Sequence, residues 1–113
     1  MTVTIYHNPQ CSNSRRALEV IRAHGVEPKI VAYLKTPLSE AELRRLVKRL
    51  GVKLRELVRD KEAVFAELKL ANASEAELFA AVAAHPVLLN RPIVVTGKGA
   101  KLCRPGDQAA ELL

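Results

Sequence analysis

The spacing of apolar residues divides the first third of the chain into a strand, a helix and a second strand. An apolar run covers residues 3–6, and apolar positions then recur at helical spacing from about residue 12 to residue 24, where Gly25 ends the pattern. Residues 29–32 (KIVA), three of them apolar, predict the second strand. The opening is therefore a strand–helix–strand unit, and we expect its two strands to be parallel with a right-handed crossover.

The middle of the chain, residues 39–84, has a helical pattern almost throughout. Ser39 and Glu42 have the spacing of a capping box, which predicts a helix start. Gly51 interrupts the pattern once, and residues 72–74 interrupt it again before a helix predicted over residues 75–84.

The first of these helices has one apolar and one charged side. The apolar side carries Leu43, Leu46, Val47 and Leu50, and the charged side carries Arg44, Arg45, Lys48 and Arg49. Because Glu40 and Glu42 lie one turn earlier and can pair with these cations, we interpret the charged side as a solvated surface.

The last quarter of the chain predicts a hairpin and a closing helix. Strands at residues 93–95 and 100–103 flank a turn at 96–99, and a short helix follows at 106–112. This order of elements predicts an α/β fold with a thioredoxin-like (glutaredoxin-like) mixed sheet of four strands and a helical insertion at about residues 36–85. A chain of 113 residues favours a single domain, residues 1–113.

Composition excludes several classes of protein. Hydrophobic residues make up 49% and charged residues 27%, which is a globular balance. No apolar run approaches the ~20 residues that span a membrane, and no secretory signal begins the chain. Two cysteines without such a signal indicate reactivity or burial, so we expect a reducing, cytoplasmic location.

The net charge of +6 is compatible with nucleic acid or with a small anionic substrate. The chain has two tyrosines, two phenylalanines and no tryptophan, which leaves little aromatic surface for stacking on bases. We therefore expect an anionic small molecule rather than nucleic acid or a membrane as the partner.

Cys11 lies in a polar loop directly before the first predicted helix. The sulfur should face the first unpaired N–H groups and the positive end of the helix dipole, which stabilise a thiolate. The backbone N–H groups from Cys11 to Ser14 can also surround an oxyanion. A charged His7 would stabilise the thiolate further, although His7 could equally be a loop histidine bonded to the backbone.

The residues after Cys11 limit the types of thiol reaction that this cysteine can carry out. Cys11 and Arg15 are spaced C-x3-R, so the C-x5-R loop of cysteine phosphatases is absent. Cys11 and Ser14 form C-x-x-S, a redox motif without its second thiol. Cys11 therefore needs an outside thiol or a partner elsewhere in the chain, and Cys103, in a strand, is interpreted as a buried small side chain. No set of His, Cys and carboxylate residues has metal-ligand spacing.

Two Arg-Pro pairs bracket the predicted hairpin. With the turn centred near Lys98, position 92 lies opposite position 104, so Arg91 and Arg104 meet at the open end. Their guanidinium groups match the geometry of phosphate and of the similar arsenate anion. Spacing alone leaves a second interpretation open, in which both are surface arginines paired with carboxylates.

Six segments together resemble the glutaredoxin-coupled arsenate reductases and their arsenate reductase-like relatives. The resemblance covers nearly the whole chain. It is strongest in residues 5–15 (IYHNPQCSNSR), 25–28 (GVEP), 33–37 (YLKTP), 54–59 (LRELVR), 90–95 (NRPIVV) and 102–105 (LCRP).

The resemblance implies a thioredoxin-like fold with a helical insertion and a cis proline at Pro92. It implies the catalytic residues Cys11, as nucleophile, and Arg59, Arg91 and Arg104, as anion site; spacing alone does not single out Arg59. The substrate-binding residues are then expected to be His7, Ser12, Asn13, Ser14, Arg15 and Pro92, with His7 and Ser14 tuning the thiolate by analogy.

The reaction implied by the resemblance is reduction of arsenate to arsenite. Cys11 forms a thioarsenate adduct, glutathione attacks it, and glutaredoxin clears the remaining mixed disulfide. No cofactor is bound in this scheme, since glutathione serves as the external reductant.

The sequence leaves two alternative functions open. One is a glutathione-linked thiol oxidoreductase of unknown substrate, which the sequence does not separate from an arsenate reductase. The other is an Spx-like regulator that binds RNA polymerase; many such regulators carry C-x-x-C as a redox switch, and Ser14 removes it here.

Overall fold

A mixed sheet of four strands is built from the two ends of the chain. In the computed structural model, which describes residues 2–113, the strands are β1 (Thr4–Tyr6), β2 (Lys29–Val31), β3 (Ile93–Thr96) and β4 (Gly99–Leu102). Their order across the sheet is β2-β1-β3-β4. The β1–β2 pair is parallel, and the β1–β3 and β3–β4 pairs are antiparallel. This is the predicted thioredoxin-like arrangement.

Helices connect and cover these strands. The α-helices are α1 (Ser12–Ala23), α2 (Glu40–Leu50), α3 (Ala63–Glu67) and α4 (Glu75–Ala84), and the C-terminal 3₁₀ helix covers Gly106–Leu112. Helix α1 joins β1 to β2 and ends where predicted, because Gly25 adopts the left-handed φ of +78°. No helix within residues 2–113 is long and apolar enough to cross a membrane.

The described residues group into two compact units. The first combines the residues up to Thr36 with Arg91–Leu113, and the second is Pro37–Asn90. The sheet, α1 and the C-terminal 3₁₀ helix share one core in the first unit, formed by Val3, Ile5, Ala17, Val20, Ile21, Val94, Cys103, Ala109 and Leu112. The single domain over residues 1–113 and the insertion at about 36–85 stay predictions.

The second unit contains the predicted amphipathic helix. The Ser39 Oγ accepts a hydrogen bond from the Glu42 N–H at 3.1 Å, and the Glu42 carboxylate accepts one from the Ser39 N–H at 3.1 Å, which confirms the capping box. Leu43, Leu46 and Val47 are buried as expected. On the charged side, Arg44 pairs with Glu40 at 3.7 Å and lies 4.2 Å from the centre of the Phe79 ring.

The prediction of nearly continuous helix through residues 51–74 is wrong. Gly51 takes a left-handed conformation, and the chain beyond it forms only the five-residue α3 and two 3₁₀ turns, Leu54–Leu57 and Leu70–Asn72. Val58 is extended because it pairs with Leu89 in an isolated antiparallel bridge. An apolar pattern at helical spacing does not reveal such a distant strand-like contact.

Candidate active site at the N-terminus of the first helix

Cys11 is the N-cap residue of α1. Its extended backbone, with φ −94° and ψ 123°, ends the loop that follows β1. The Cys11 N–H donates to the carbonyl of Asn8 at 3.0 Å, which fixes the loop, and the residue is 6% exposed. The sulfur therefore lies at the positive end of the helix, as the sequence predicted.

Two opposing influences act on the Cys11 thiol. Burial is the largest and raises the pKa, since it disfavours the charged form. The backbone N–H groups of Ser14 and Asn13 lower the pKa, and the charge of Arg91 and a hydrogen bond from Arg104 add to their effect. Together these groups outweigh burial, so the pKa of Cys11 lies below its ordinary value.

The open end of the β3–β4 hairpin brings Arg91 and Arg104 together. The Nη1 atom of Arg104 lies 3.8 Å from the Cys11 Sγ and donates to the Arg91 carbonyl oxygen at 2.8 Å. The predicted closeness of the two arginines is therefore confirmed. One guanidinium joins the hairpin backbone to the sulfur.

The predicted hairpin register is wrong by one residue. Thr96 pairs with Gly99, so the turn has two residues and is centred between positions 97 and 98. The Cys103 N–H consequently donates to the carbonyl of Pro92 at 2.9 Å, which places 92 opposite 103 rather than 104. The Arg91–Pro92 peptide bond is cis as expected, and the Arg104–Pro105 bond is also cis, which was not expected.

His7 and Ser14 form a buried pair beneath the loop. The Nδ1 atom of His7 lies 2.8 Å from the Ser14 Oγ, which also accepts the Asn8 N–H at 3.0 Å. Burial, followed by the charges of Arg22 and Arg15, lowers the pKa of His7. Neutral imidazole is therefore its main form at neutral pH, and the charged His7 considered from the sequence is the minor one.

The other loop residues predicted to bind substrate lie at the start of α1. Ser12 is exposed, and the Asn13 Oδ1 accepts a hydrogen bond from the Gly106 N–H at 3.2 Å. The Arg15 guanidinium donates to the carbonyl of Pro9 at 2.8 Å and so ties α1 to the preceding loop. Their roles in substrate binding stay predictions.

Arg59 belongs to the second unit. Its N–H donates to the Leu88 carbonyl at 2.7 Å, and its guanidinium pairs with Glu62 at 2.7 Å. Its catalytic role stays a prediction that rests on the family resemblance.

Sequence reasoning missed two residues that shape the loop and its surroundings. The Asn8 Oδ1 accepts the Gln10 N–H at 2.9 Å, and the Asn-Pro pair was the available signal for this turn. Gly106 lies so close to α1 that a Cβ atom there would come within 2.3 Å of the Asn13 carbonyl oxygen. No local sequence signal reveals such a contact between distant residues.

Cys103 differs from Cys11 in the direction of its pKa shift. It is 0% exposed, and burial raises its pKa to about 11. The interpretation of Cys103 as a buried small side chain is confirmed. Within residues 2–113, no group of three or more His, Cys, Asp and Glu side chains could hold a metal ion.

The difference between the two cysteines predicts the pH profile of alkylation. The rate of Cys11 modification by iodoacetamide should rise with a midpoint below the ~8.5 of a free thiol. Mass spectrometry of peptides identifies the modified cysteine, and the chain in urea is the control, because unfolding removes the N–H and guanidinium groups around the sulfur. A folded-state midpoint near ~8.5 would contradict the activated thiolate.

We also expect Cys103 to be dispensable for chemistry. Cys103→Ala should keep most activity and lose about 1 kcal/mol of unfolding free energy, the scale of deleting one small buried group. Urea denaturation and steady-state rates measure the two effects separately. A loss of turnover comparable to that of a Cys11 variant would indicate an internal disulfide cycle instead.

Comparison with known proteins identifies a family and several similar chains. The profile of the ArsC family matches residues 6–112. The chain is 47% identical to an arsenate reductase of Rhizobium meliloti (strain 1021), with 100% of this chain and 82% of that protein covered. It is 46% identical to the uncharacterized protein YfgD of Escherichia coli (strain K12), with coverage of 98% and 96%.

A solved structure is similar over the whole chain. The arsenate reductase of Vibrio cholerae superposes with a TM-score of 0.94 at 44% identity, covering 100% of this chain and 98% of that one.

Proposed function

Because the chain belongs to the ArsC family, we propose that it is an arsenate reductase that uses Cys11 as nucleophile and takes its electrons from glutathione and glutaredoxin. The observation that carries the proposal is the position of the Cys11 sulfur. It lies at the N-terminus of α1, with the Arg104 guanidinium at 3.8 Å and the charge of Arg91 acting on it. The cysteine sulfur and a guanidinium group suited to bind an anion thus lie close together.

The lowered pKa of Cys11 supplies the thiolate that the first step needs. The thiolate attacks arsenic(V) and displaces one hydroxyl group, which takes up a proton from solvent and leaves as water, while arsenic keeps its oxidation state in the thioarsenate adduct. The thiol of glutathione then loses its proton to solvent, and its sulfur attacks the Cys11 sulfur of this adduct. A disulfide bond forms between Cys11 and glutathione, the sulfur–arsenic bond breaks, and its electron pair stays on arsenic, which leaves as arsenite.

A second thiol must then release Cys11. The thiol of glutaredoxin takes the glutathione from the mixed disulfide and returns Cys11 to the reduced state. The external thiol is required because Ser14 replaces the resolving thiol of a C-x-x-C motif and Cys103 is buried with a pKa of about 11. Such a cycle belongs in a reducing cytoplasm, where glutathione is abundant.

The arginines have two tasks in this scheme. Their charge attracts the arsenate oxyanion, and their N–H groups stabilise the negative charge that develops on the adduct. Arg104 is suited to this because its Nη1 already lies at the sulfur, where the arsenic must bind. Pro92 and the N–H groups at the start of α1 complete the proposed substrate-binding set.

A turnover assay with intact-mass detection tests the function. The purified protein is incubated with arsenate, glutathione, glutaredoxin, glutathione reductase and NADPH, and arsenite is quantified by chromatography. We expect one arsenite per NADPH. When glutaredoxin is omitted, the reaction should stop after one turnover, with one glutathione on Cys11.

The alternatives give different results in the same preparation. Reduction of a small glutathione mixed disulfide without arsenate turnover would indicate a general thiol oxidoreductase. Failure in both assays, together with retention of RNA polymerase by the immobilised protein, would indicate an Spx-like regulator.

The resemblance also assigns a catalytic role to Arg59. If that assignment is right, Arg59→Ala should lower kcat/KM for arsenate by about tenfold or more, since a charge-assisted contact to the anion is lost. The matched control is Arg45→Ala, which removes an exposed arginine from α2 in the same unit. Equal rates for the two variants would remove Arg59 from the site.

A further inference from the structure

Asn13 makes contacts with two separate parts of the active site. Its backbone N–H is one of the groups that lower the pKa of Cys11, and its side-chain Oδ1 accepts the N–H of Gly106 at 3.2 Å. Gly106 follows Arg104 by two residues, and the Arg104 guanidinium lies 3.8 Å from the same sulfur. One residue therefore joins the N–H groups around the thiolate to the segment that carries the guanidinium.

The contact at Gly106 is too close to accommodate any other residue without movement. A Cβ atom at position 106 would lie 2.3 Å from the Asn13 carbonyl oxygen and 2.7 Å from the Ala17 backbone nitrogen. The absence of a side chain lets the backbone of residue 106 approach the first turn of α1 and reach the Asn13 amide. The hydrogen bond thus fixes where the chain passes after β4.

A second connection joins the same two elements further from the sulfur. Arg16 on α1 pairs with Asp107 through two N–H···O contacts of 3.0 and 3.2 Å, and both side chains are about half exposed. Exposed ion pairs contribute little to stability. The connection through Asn13 differs because it is partly buried and adjoins the thiolate.

We propose that Asn13 is a positioning residue, which holds Arg104 at the Cys11 sulfur through its hydrogen bond to Gly106. The Arg104 guanidinium has one fixed backbone partner on the hairpin, the Arg91 carbonyl oxygen at 2.8 Å. That bond sets where the guanidinium lies on the hairpin, and the Asn13 bond sets where the segment that carries it lies relative to α1. The proposal deepens the proposed function, since the thiolate–arginine pair is the site of the proposed chemistry.

The test measures how strongly Arg104 acts on Cys11 when Asn13 is changed. The alkylation midpoint of Cys11 is recorded with and without Arg104→Ala in three backgrounds: the natural chain, Asn13→Ala and Asn13→Asp. In the natural chain, Arg104→Ala should raise the midpoint by about 1 pH unit, because the nearby cation is lost. In Asn13→Ala the same change should raise it by less than half as much.

Asn13→Asp restores the acceptor for the Gly106 N–H. The added negative charge raises the alkylation midpoint of Cys11 whether or not Arg104 is present. The shift of this midpoint caused by Arg104→Ala should therefore return to its value in the natural chain. Arg16→Ala is the matched control, because it breaks a connection between the same elements away from the sulfur. In that background the effect of Arg104→Ala should be unchanged.

The result that overturns the proposal is the same Arg104→Ala shift in all three Asn13 backgrounds, since Asn13 and Arg104 would then act independently. A reduced shift in the Arg16→Ala background would also overturn it, because general loosening of the C-terminal helix would suffice. No arsenate is used, so failure of the proposed function leaves this test intact. Both alanine and aspartate are compatible with the first turn of a helix, which keeps the variants folded.

Discussion

Cys11→Ser is expected to abolish arsenate reduction, with a loss of more than about a thousandfold in kcat, while the protein stays folded. A serine hydroxyl is a poor nucleophile at neutral pH, and its oxygen cannot form the disulfide with glutathione that the second step requires. Arsenite production under saturating glutathione and glutaredoxin measures the loss.

The same substitution should leave stability unchanged or raise it by up to about 1 kcal/mol. Cys11 occupies the N-cap position of α1 without a side-chain capping bond, and serine is among the preferred residues there. Thermal unfolding of the variant therefore separates lost chemistry from lost fold. Residual turnover comparable to that of the natural chain would mean that another group is the nucleophile.

Arg104→Lys is expected to lower kcat/KM for arsenate by roughly 10- to 150-fold, equivalent to about 1.5–3 kcal/mol for one charge-assisted hydrogen bond. Lysine keeps the positive charge but loses the planar fork. In the structure, Nη1 of Arg104 contacts both the Cys11 sulfur and the Arg91 carbonyl oxygen. A lysine ammonium has one nitrogen atom in place of the three of the guanidinium, so it lacks the further donor atoms that could bind the anion at the same time. Arg91→Lys should act in the same direction.

Protection from alkylation provides an independent measurement. Sulfate or arsenate should protect Cys11 of the natural chain and protect the Arg104→Lys variant at higher anion concentrations. Arg16→Lys is the matched control, because Arg16 is an arginine of the same unit that pairs with Asp107 at an exposed position. If Arg91→Lys and Arg104→Lys both keep natural kinetics and protection, the anion binds elsewhere.

Features set by a few neighbouring residues could be predicted from the sequence. The Ser39 capping box and the helix at 75–84 are confirmed, because N-cap hydrogen bonds depend on residues only three positions apart. The position of Cys11 at the N-terminus of α1 is likewise local. It follows from an apolar strand, a polar loop and a helical pattern in succession.

Features set by contacts between distant residues could not be predicted from the sequence. The extended backbone at Val58 depends on Leu89, 31 positions away. The one-residue error in the hairpin register has a different, local cause, because the turn was taken to be centred on one residue rather than between two. The lowered pKa of His7 depends first on burial, which emerges only when the loop packs. Arg59 carries no local signal at all, and only the resemblance of several segments singled it out.

The first unit is built from both ends of the chain, and this affects when the Cys11 thiol becomes activated during protein synthesis. Thr4 pairs with Val95, and both cations that act on Cys11 lie in the last 23 residues of the chain. The ribosome delivers the N-terminus first, and a contact between such distant residues forms only after the long intervening segment has been added. The growing chain thus carries Cys11 without the charge of Arg91 and without the hydrogen bond from Arg104. Only the N–H groups at the start of α1 act on the sulfur at that stage, and full activation of the thiol follows completion of the sheet.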